Sequence, residues 1–475
     1  MDSSMEYGDS ILSSYKKFRD EVLSGYHDFR NEVMREYIEF VRSAWQETED
    51  SDPVPAPRIE PVPPISPPHI DEEFAPVVVP LKIDTLLEFP LPKPDVRTRP
   101  DEIIFVTPVA VETYLDFVFF GTDLKVRFDA AHRIGLDALD ENSVADALEM
   151  MVSDASEKVV ADCLDIRENM ALSDWAYIQM LKSLATAAYG SYSDSAVLFM
   201  AYIYMRSGYK MRLATDGSRL YMLFATEHTI FNRPSYSIEG DNYYCLEDLP
   251  SCLNVCMASY SGEVPLSLML TGPQNFERNN VSGKPVVSKK YADMNATVTI
   301  NSNLLVFYST YPKSMIGGNM MTCWAMYANA PIDDGVRKQL NAQLYGAIDG
   351  LPELEAVDKI LNFVQTGLVY EYDEKVWGAD RPFFAEECLY YEFADCEDRS
   401  ILFTKLVREL VGLDVALLFV PGHILAAVRF NQDVGGKCIY IDGERFVICE
   451  PTCLNGASVG WCDIDDDEKI EVIRL

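Results

Sequence analysis

A proline-rich stretch between residues 51 and 100 divides the chain and most constrains how it can fold. It holds fourteen of the chain's twenty-six prolines, as in PVPAPRIEPVPPISPP. Because proline lacks a backbone N–H and fixes φ, such a stretch forms neither a regular helix nor a central strand. We predict a semi-rigid extended linker, whose more apolar end, VVVPLKIDTLLEFPLP, runs as an extended arm across the surface. A role as a ligand of SH3-type domains is the alternative.

Residues 1–50 are predicted to contain one amphipathic helix, from residue 11 to residue 46. Tyrosine and phenylalanine recur along it at intervals of eleven residues: Tyr15, Tyr26, Tyr37, Phe18, Phe29 and Phe40. Eleven residues make three turns of about 3.67 residues each, so the rings stay on one stripe of a nearly straight helix. We expect this stripe to dock on a neighbouring domain, with self-association or a protein partner as the alternative.

The charge of the chain excludes one broad class of partner. The formal net charge is −35 and the pI is near 4.4. A protein that neutralises nucleic-acid phosphates carries clustered lysine and arginine, and this sequence has no such cluster. Nucleic acid is therefore not an expected partner.

The sequence also bears on location. It has no run of about 18 or more apolar residues, so no integral membrane segment is expected. Its start, MDSSMEYGDS, lacks the basic and apolar regions of a signal peptide, which predicts a cytoplasmic protein. If a signal peptide has been removed ahead of this start, a secreted or envelope-associated location is expected instead.

The eleven cysteines indicate neither a disulfide framework nor a zinc site. Their number is odd, their spacing is sparse, and the sequence contains no CxxC pair. Cys252 and Cys256 lie four positions apart, but no second pair or neighbouring histidine accompanies them. No metal or organic cofactor is predicted.

Length and pattern divide the rest of the chain, since 475 residues correspond to about three domains. Residues 101–260 mix helical and strand-like patterns and are predicted to form an α/β domain. Residues 261–345 are predicted to be β-rich, as in ATVTINSNLLVFYSTYP. Residues 346–475 begin with the amphipathic helix LPELEAVDKILNFVQTG and form the last domain. The expected overall class is α+β.

Three residues of the last domain form a pattern that can carry chemistry. Cys396 comes just before an amphipathic helix, where the helix dipole and free N–H groups favour the reactive thiolate. The neighbouring Asp395 and Glu397 oppose that effect, so a base is needed. His423 follows the strand DVALLFV and begins the strand ILAAVRF, which faces the helix. Glu450 ends a later strand, RFVICEPT, where its carboxylate can hold one ring nitrogen of His423 and fix the tautomer.

This order of motifs, DCEDR, then PGH, then EPT, resembles the transglutaminase-like superfamily of papain-type cysteine enzymes. The resemblance covers residues 350–465 and implies a transglutaminase-like or papain-like fold for the C-terminal domain. It implies that Cys396, His423 and Glu450 form the catalytic triad. The family usually has aspartate before Pro-Thr, where this chain has Glu450.

The resemblance further implies an oxyanion donor upstream of the cysteine, either a tryptophan or a glutamine. Gln365, at the end of a predicted helix, is the preferred candidate. Trp377, in the loop VWGADRPFF, is the alternative. Either side chain can instead serve only to pack the domain, and Gln365 can instead cap a loop.

A second segment has the same order of elements as the C-terminal domain. The stretch SAVLFMAYIYMRSGYKMRLATDGSRLYMLFA aligns with RSILFTKLVRELVGLDVALLFVPGHILAAVRF at a constant offset of 204 residues. At this offset Tyr192 replaces Cys396, and Arg219 replaces His423. Residues 101–260 would then be a degenerate transglutaminase-like copy without its chemistry. The alternative is an unrelated α/β domain.

The predicted function is that of a cysteine-dependent acyl-transfer enzyme acting on amide bonds of peptide or protein substrates. Hydrolysis is preferred over transamidation, because the sequence shows no dedicated amine site and the superfamily's bacterial members are often hydrolases. The alternative is a non-catalytic scaffold built from transglutaminase-like domains. The N-terminal helix and the proline-rich arm favour that alternative, since hydrolysis needs neither.

Overall fold

The computed structural model describes residues 32–47, 77–90, 113–248, 252–465 and 468–475. Helices and strands both contribute substantially to these residues, so the predicted α+β class is confirmed. The finer prediction of a transglutaminase-like fold is taken up below as a proposal.

The helices, in chain order, are α1 (32–41), α2 (Glu141–Met151), α3 (Asp154–Asn169), α4 (Asp174–Tyr189), α5 (Asp194–Arg206), α6 (Ser302–Ser309), α7 (Met321–Asn329), α8 (Asp334–Ile348), α9 (Glu353–Gly367), α10 (Asp373–Val376), α11 (Ala385–Cys388) and α12 (Cys396–Leu410). The strands are β1 (Trp45–Glu47), β2 (Val79–Pro80), β3 (Thr85–Glu88), β4 (Tyr114–Phe119), β5 (Thr122–Arg127), β6 (Met211–Thr215), β7 (Leu220–Thr226), β8 (His228–Ile230), β9 (Tyr236–Ile238), β10 (Asp241–Cys245), β11 (Asn254–Cys256), β12 (Asn280–Ser282), β13 (Val286–Val287), β14 (Asn295–Ala296), β15 (Thr299–Asn301), β16 (Ser314–Ile316), β17 (Val415–Val420), β18 (His423–Val428), β19 (Lys437–Ile441), β20 (Glu444–Cys449) and β21 (Glu471–Arg474).

The C-terminal sheet has the strand order β2-β19-β20-β18-β17-β21-β3. Its five central strands are antiparallel, and β2 and β3 join the two edges as parallel strands. Six spacings of about 4.8 Å would separate the edges of a flat sheet by about 29 Å. The short connection from β2 to β3 reaches about 18 Å at most. The sheet is therefore strongly curved, as a half-barrel.

Residues 77–90, which we call the strap, cross between the two edges of this curved sheet. Leu81 is 7% exposed and belongs to the apolar cluster inside the curve, and Ile83 packs against the same cluster. The strap is extended and mostly exposed, so these residues do run across the surface. The prediction of a linker is wrong for them, because they pair with both edge strands and bury a leucine. Residues 51–76 and 91–100 of the proline-rich stretch lie outside the described residues.

A second sheet has the strand order β1-β11-β6-β7-β10-β9, and helices α4 and α5 pack against each other beside it. The remaining described strands form pairs: β4 with β5, β8 with β16, β12 with β15 and β13 with β14.

The two large sheets share one order of elements along the chain. In each, a helix leads into a β-hairpin, and three later strands flank that hairpin. The correspondence, in order, is of α5, β6, β7, β9, β10 and β11 with α12, β17, β18, β19, β20 and β21. The hairpins share their register, since Met211 pairs with Phe224 as Val415 pairs with Val428. This is the 204-residue offset found in the sequence. The likeness is one of connectivity and register, and the interpretation of residues 101–260 as a degenerate copy stays a prediction.

The described part of the N-terminal helix docks on the same chain. Its buried face consists of Met34, Tyr37, Ile38 and Val41, an ordinary amphipathic spacing. The Tyr37 ring meets that of Tyr260 edge-on, with centroids 5.9 Å apart. Helix α1 ends at residue 41, short of the predicted 46, and Phe40 is 51% exposed, so the predicted aromatic stripe does not extend to this residue. The earlier members of the eleven-residue repeat lie outside the described residues.

The prediction that residues 261–345 are β-rich is wrong, because helices α6, α7 and α8 fall within this range. The misassigned segment SNLLVFYS has the aromatic and β-branched residues typical of strands. It forms α6 because the Asn301 side chain caps the helix, accepting a hydrogen bond from the Asn303 N–H. Its buried residues then follow helical spacing: Leu304, Leu305, Phe307 and Tyr308.

Candidate active site

Cys396 is the first residue of α12, and the turn that carries it is held by buried polar side chains. Asp398 Oδ2 accepts a hydrogen bond from the Asp395 N–H at 3.4 Å. Arg399 is fully buried, and its guanidinium donates to three backbone carbonyls, those of Ala394, Gln365 and Leu368. The DCEDR motif thus builds a rigid turn that places the thiol at the helix N-terminus.

His423 begins β18 directly after a tight turn. Gly422 has φ of 81°, a left-handed conformation that a residue with a side chain adopts only at a cost. The hairpin returns so that His423 pairs with Val420. The Ser400 hydroxyl of α12 donates to the Ile424 carbonyl at 3.0 Å and fastens the helix to this strand. Cys396 and His423 are therefore held on two elements that pack against each other.

Glu450 follows β20 and contacts the imidazole. Its Oε2 lies 2.8 Å from His423 Nε2, and its Oε1 accepts from the backbone N–H and the hydroxyl of Thr452. Burial acts to raise the pKa of Glu450, but His423 and the Thr452 hydrogen bonds outweigh it and lower that pKa. Burial likewise acts to lower the pKa of His423, and Glu450 outweighs it and raises that pKa. The carboxylate of Glu450 therefore stabilises the imidazolium that forms when His423 accepts a proton.

The surroundings of the Cys396 thiol favour its protonated form. Cys396 Sγ donates to Glu397 Oε2 at 3.2 Å, so its hydrogen bond goes to Glu397 and not to His423. Burial raises the pKa of Cys396 well above its usual value, and the charges of Glu397 and Asp395 raise it further. The structure thus joins His423 to Glu450 and leaves Cys396 beside them as a neutral thiol.

Cys396 and His423 line the same cleft, whose volume is about 330 Å³. One wall consists of Trp324 and Phe419, whose rings stack with centroids 5.5 Å apart. Tyr370 stands among the other lining residues. An extended peptide segment or a single large side chain fits a space of this size.

Carboxyl groups crowd the thiol side of the cleft. Asp373 and Asp380, from the chain before α11, join Glu397, with oxygens of all three within 4.8 Å of one another. These oxygens are of the kind that hard cations prefer. Lys313 Nζ already lies 2.5 Å from Asp380 Oδ2 and serves as a resident cation. Sequence reasoning missed this cluster, because its members come from separate parts of the chain.

Neither predicted oxyanion donor is placed for that role. Gln365 is fully buried, and its amide Nε2 donates to the carbonyls of Glu450 and Ala457 while its Oε1 accepts from the Ala457 N–H. Both ends of its amide are therefore engaged, so the prediction that it holds the oxyanion is wrong, and it instead fixes the backbone of Glu450. Trp377 packs on Phe383 and Tyr391, outside the set of residues that line the cleft.

The corresponding place in the other large sheet holds different side chains. Cys245 pairs with Leu223 in this sheet, and the corresponding Ile448 pairs with Ala427 in the C-terminal sheet. Glu247 comes two residues after Cys245, and Glu450 comes two residues after Ile448. The two glutamates therefore occupy corresponding positions. Sequence order alone did not reveal this match.

Glu247 forms an ion pair with Lys182, whose Nζ lies 4.4 Å from the centroid of the Tyr192 ring. Tyr192, the predicted counterpart of Cys396, thus lies beside the counterpart of Glu450. Arg219, the predicted counterpart of His423, is exposed, and its guanidinium lies over the Tyr221 ring. A lysine therefore takes the place next to the glutamate, and this set lacks a nucleophile and base pair.

Comparisons of the chain with protein-family models, with curated proteins and with solved structures find no match. Across the described ranges, no helix is both long and apolar enough to cross a bilayer.

Proposed function

We propose that this protein is a cysteine-dependent acyl-transfer enzyme that cleaves amide bonds in peptide or protein substrates. The observation that carries the proposal is the 2.8 Å contact between His423 and Glu450 at a cleft that also exposes Cys396. A buried carboxylate that orients an imidazole beside a thiol is the arrangement that cysteine nucleophiles require. A transglutaminase-like fold for residues 346–475 belongs to the same proposal.

In the first half-reaction, Cys396 gives its proton to Nδ1 of His423, the ring nitrogen that Glu450 leaves free. The sulfur attacks the amide carbonyl carbon, a C–S bond forms, and the carbonyl π electrons move to oxygen. The N–H of Cys396, in the first turn of α12 where helix N–H groups lack intrahelical acceptors, stabilises that oxyanion. Collapse breaks the C–N bond, and the imidazolium protonates the departing amine.

In the second half-reaction, water attacks the thioester while His423 accepts its proton. A C–O bond forms, the C–S bond breaks, and the sulfur recovers a proton from the imidazolium. The products are a carboxylic acid and the free thiol. An amine in place of water would give transamidation by the same steps, and hydrolysis is the simpler proposal because water needs no site of its own.

The hydrogen bond between Cys396 and Glu397 belongs to the resting enzyme, before substrate binds. While the thiol donates to a carboxylate, its proton is held away from His423. Substrate entering the cleft excludes water and displaces this contact, and the high pKa of His423 then favours the thiolate–imidazolium pair.

A second candidate is a non-catalytic scaffold with two sheets of the same connectivity. The observation that favours it is the raised pKa of the Cys396 thiol, which donates its hydrogen bond to Glu397, since a cysteine with a structural role is also protonated. A scaffold would not require the contact between the Glu450 carboxylate and His423.

The proposed function is tested with p-nitrophenyl acetate, an activated acyl donor that needs no substrate recognition. We expect a burst of about one equivalent of p-nitrophenolate and a mass increase of one acetyl group on the Cys396 peptide. The variants Cys396→Ala and His423→Ala should lose the burst, and Cys252→Ala, which removes an exposed cysteine, should keep it. A burst that survives Cys396→Ala would contradict the proposal.

A further inference from the structure

The cleft beside Cys396 is lined by more carboxyl groups than cationic side chains. Six of its lining residues are acidic: Asp373, Glu374, Asp380, Asp395, Glu397 and Glu471. Among the described residues that line it, there is no lysine or arginine. A space lined by carboxyl groups attracts ligands of the opposite charge, and a bound cation in turn favours the ionised form of the carboxyls.

Two carboxyl oxygens of the cleft residues are buried without a hydrogen bond from the described residues. Asp395 is 7% exposed and its Oδ1 has no hydrogen-bond donor, and Oδ1 of Asp380 is likewise buried without a donor. Burial raises the pKa of Asp373 to about 8, with the charge of Glu397 as the next cause. Lys313 forms an ion pair with Asp380 and is not among the residues that line the cleft. The cleft therefore offers acceptors that a cationic donor would satisfy.

The aromatic part of the lining suits the uncharged part of such a ligand. Trp324 and Phe419 stack on each other and line the cleft with apolar surface, against which an alkyl stem can pack. Trp324 is 7% exposed, and its Nε1–H has no acceptor among the described residues. A carbonyl in the ligand would supply an acceptor if the indole shifted toward the cleft. The wall thus complements a group that combines an alkyl chain, a carbonyl and a positive charge.

We propose that the substrate of this site carries a positive charge, an ammonium or guanidinium on an alkyl stem, next to the amide that Cys396 attacks. The proposal rests on the proposed function and names its substrate class. The cation would lie among Asp373, Asp380 and Glu397 with its stem on Trp324. The same chemistry can come from a lysine or arginine side chain on the acyl donor or from a diamine that accepts the acyl group.

Binding is measured first, on the Cys396→Ala protein, so that turnover is not required. The probes are acetyl-Ala-Arg-Ala amide and its citrulline counterpart, which has the same shape and no charge, titrated by calorimetry in buffer with EDTA. We expect the arginine peptide to bind about tenfold more tightly at low salt, and the difference to shrink in about 0.5 M salt. Equal binding of the two peptides, or binding of neither, overturns the inference.

Variants of two cleft carboxyls, the exposed Glu374 and the half-buried Glu471, locate the effect. Glu374→Gln and Glu471→Gln should each reduce the arginine preference by about two- to fivefold. Glu36→Gln removes the same charge from an exposed position of α1 and should leave the preference unchanged. A preference that falls equally in all three variants would reflect the overall charge of the protein and would contradict a site in this cleft.

The wild-type enzyme distinguishes the two sources of the cation. After acetylation by p-nitrophenyl acetate, 1,5-diaminopentane should speed deacylation more than 1-aminopentane does if the cleft takes a cationic acceptor. If the charge belongs to the acyl donor, the two amines act alike and the arginine peptide competes with acylation. If no burst is seen but the arginine peptide binds preferentially, the proposed function is wrong and the cation site is supported. A burst without arginine preference removes the cation site alone.

Discussion

His423 Nε2 and Glu450 Oε2 lie 2.8 Å apart, and the carboxylate is held from behind by both the N–H and the hydroxyl of Thr452. Gln365 adds a further layer, since its amide fixes the carbonyl of Glu450. Thr452 and Gln365 thus position the Glu450 carboxylate against the His423 imidazole. Such layered support is typical of groups whose orientation matters for reactivity.

The variant Glu450→Gln should destabilise the protein by about 1–3 kcal/mol, with a defined pH dependence. The folded-state pKa of His423 is raised above 6.5, so its contribution is complete below that pH and is lost as the pH rises through the raised value. The pKa of Glu450 is lowered below 4.5, so its contribution is present above that pH and is lost as the pH falls. The difference in unfolding free energy between the wild type and Glu450→Gln is therefore greatest between about pH 4.5 and about pH 6.5. Urea unfolding at about pH 5.5 and about pH 8.5 measures it, and an advantage that grows at the higher pH would contradict the ion pair.

The variant Glu397→Gln should make Cys396 more reactive. Glu397 accepts the thiol hydrogen bond, and its charge raises the pKa of that thiol. With the charge removed, alkylation of Cys396 near neutral pH should quicken by roughly three- to tenfold. Glu36→Gln is the charge-matched control. Slower alkylation in Glu397→Gln would mean that Glu397 activates the thiol.

The variant Gln365→Ala should cost about 2–4 kcal/mol of stability, because it leaves backbone groups near Glu450 unpaired in a fully buried place. Gln343 provides a matched control, since its amide makes the same kind of bonds to Thr297 but is exposed. Gln343→Ala should cost less than about 1 kcal/mol. Chemical unfolding of both variants checks the difference, and equal losses would refute the buried role of Gln365.

The strap should contribute to the stability of the C-terminal sheet. Leu81→Ala removes a side chain from the cluster inside the curve and should cost about 2–4 kcal/mol. Leu86→Ala, on the same strap but 42% exposed, should cost less than about 1 kcal/mol. If the two variants unfold at the same urea concentration, the strap is not part of this core.

The sequence was sufficient to locate the candidate site within its elements. The order of motifs placed Cys396 just before a helix, His423 at the start of a strand and Glu450 at the end of one. In the structure Cys396 is the first residue of α12, His423 is the first of β18, and Glu450 directly follows β20. The helix α9 was also found, because its apolar positions recur with helical period. These successes depend on patterns that are local along the chain.

What the sequence could not supply depends on contacts between distant segments. The strap pairs with strands more than 350 residues later, and no local pattern in a proline-rich stretch reports such partners. Asp373 and Asp380 meet Glu397 only after the chain folds back around α11. Trp324, in a segment predicted to be β-rich, lines the cleft from helix α7. Gln365 was misjudged because its position near the site said nothing about what its amide contacts.

The central claim is that Cys396 is a nucleophile activated by His423. The most direct measurement is the rate of iodoacetamide alkylation of each cysteine from about pH 5 to about pH 9, read by peptide mass spectrometry on wild type and His423→Ala. The exposed Cys252 in the same molecule is the internal reference. The account predicts that Cys396 in the wild type, with substrate-like peptide present, reacts faster than Cys252 below the usual thiol pKa of about 8.5. It also predicts that His423→Ala removes this advantage while Cys252 is unaffected. If Cys396 reacts no faster than Cys252 at any pH, with or without peptide, and His423→Ala changes nothing, the enzyme account is wrong and the scaffold is the better description.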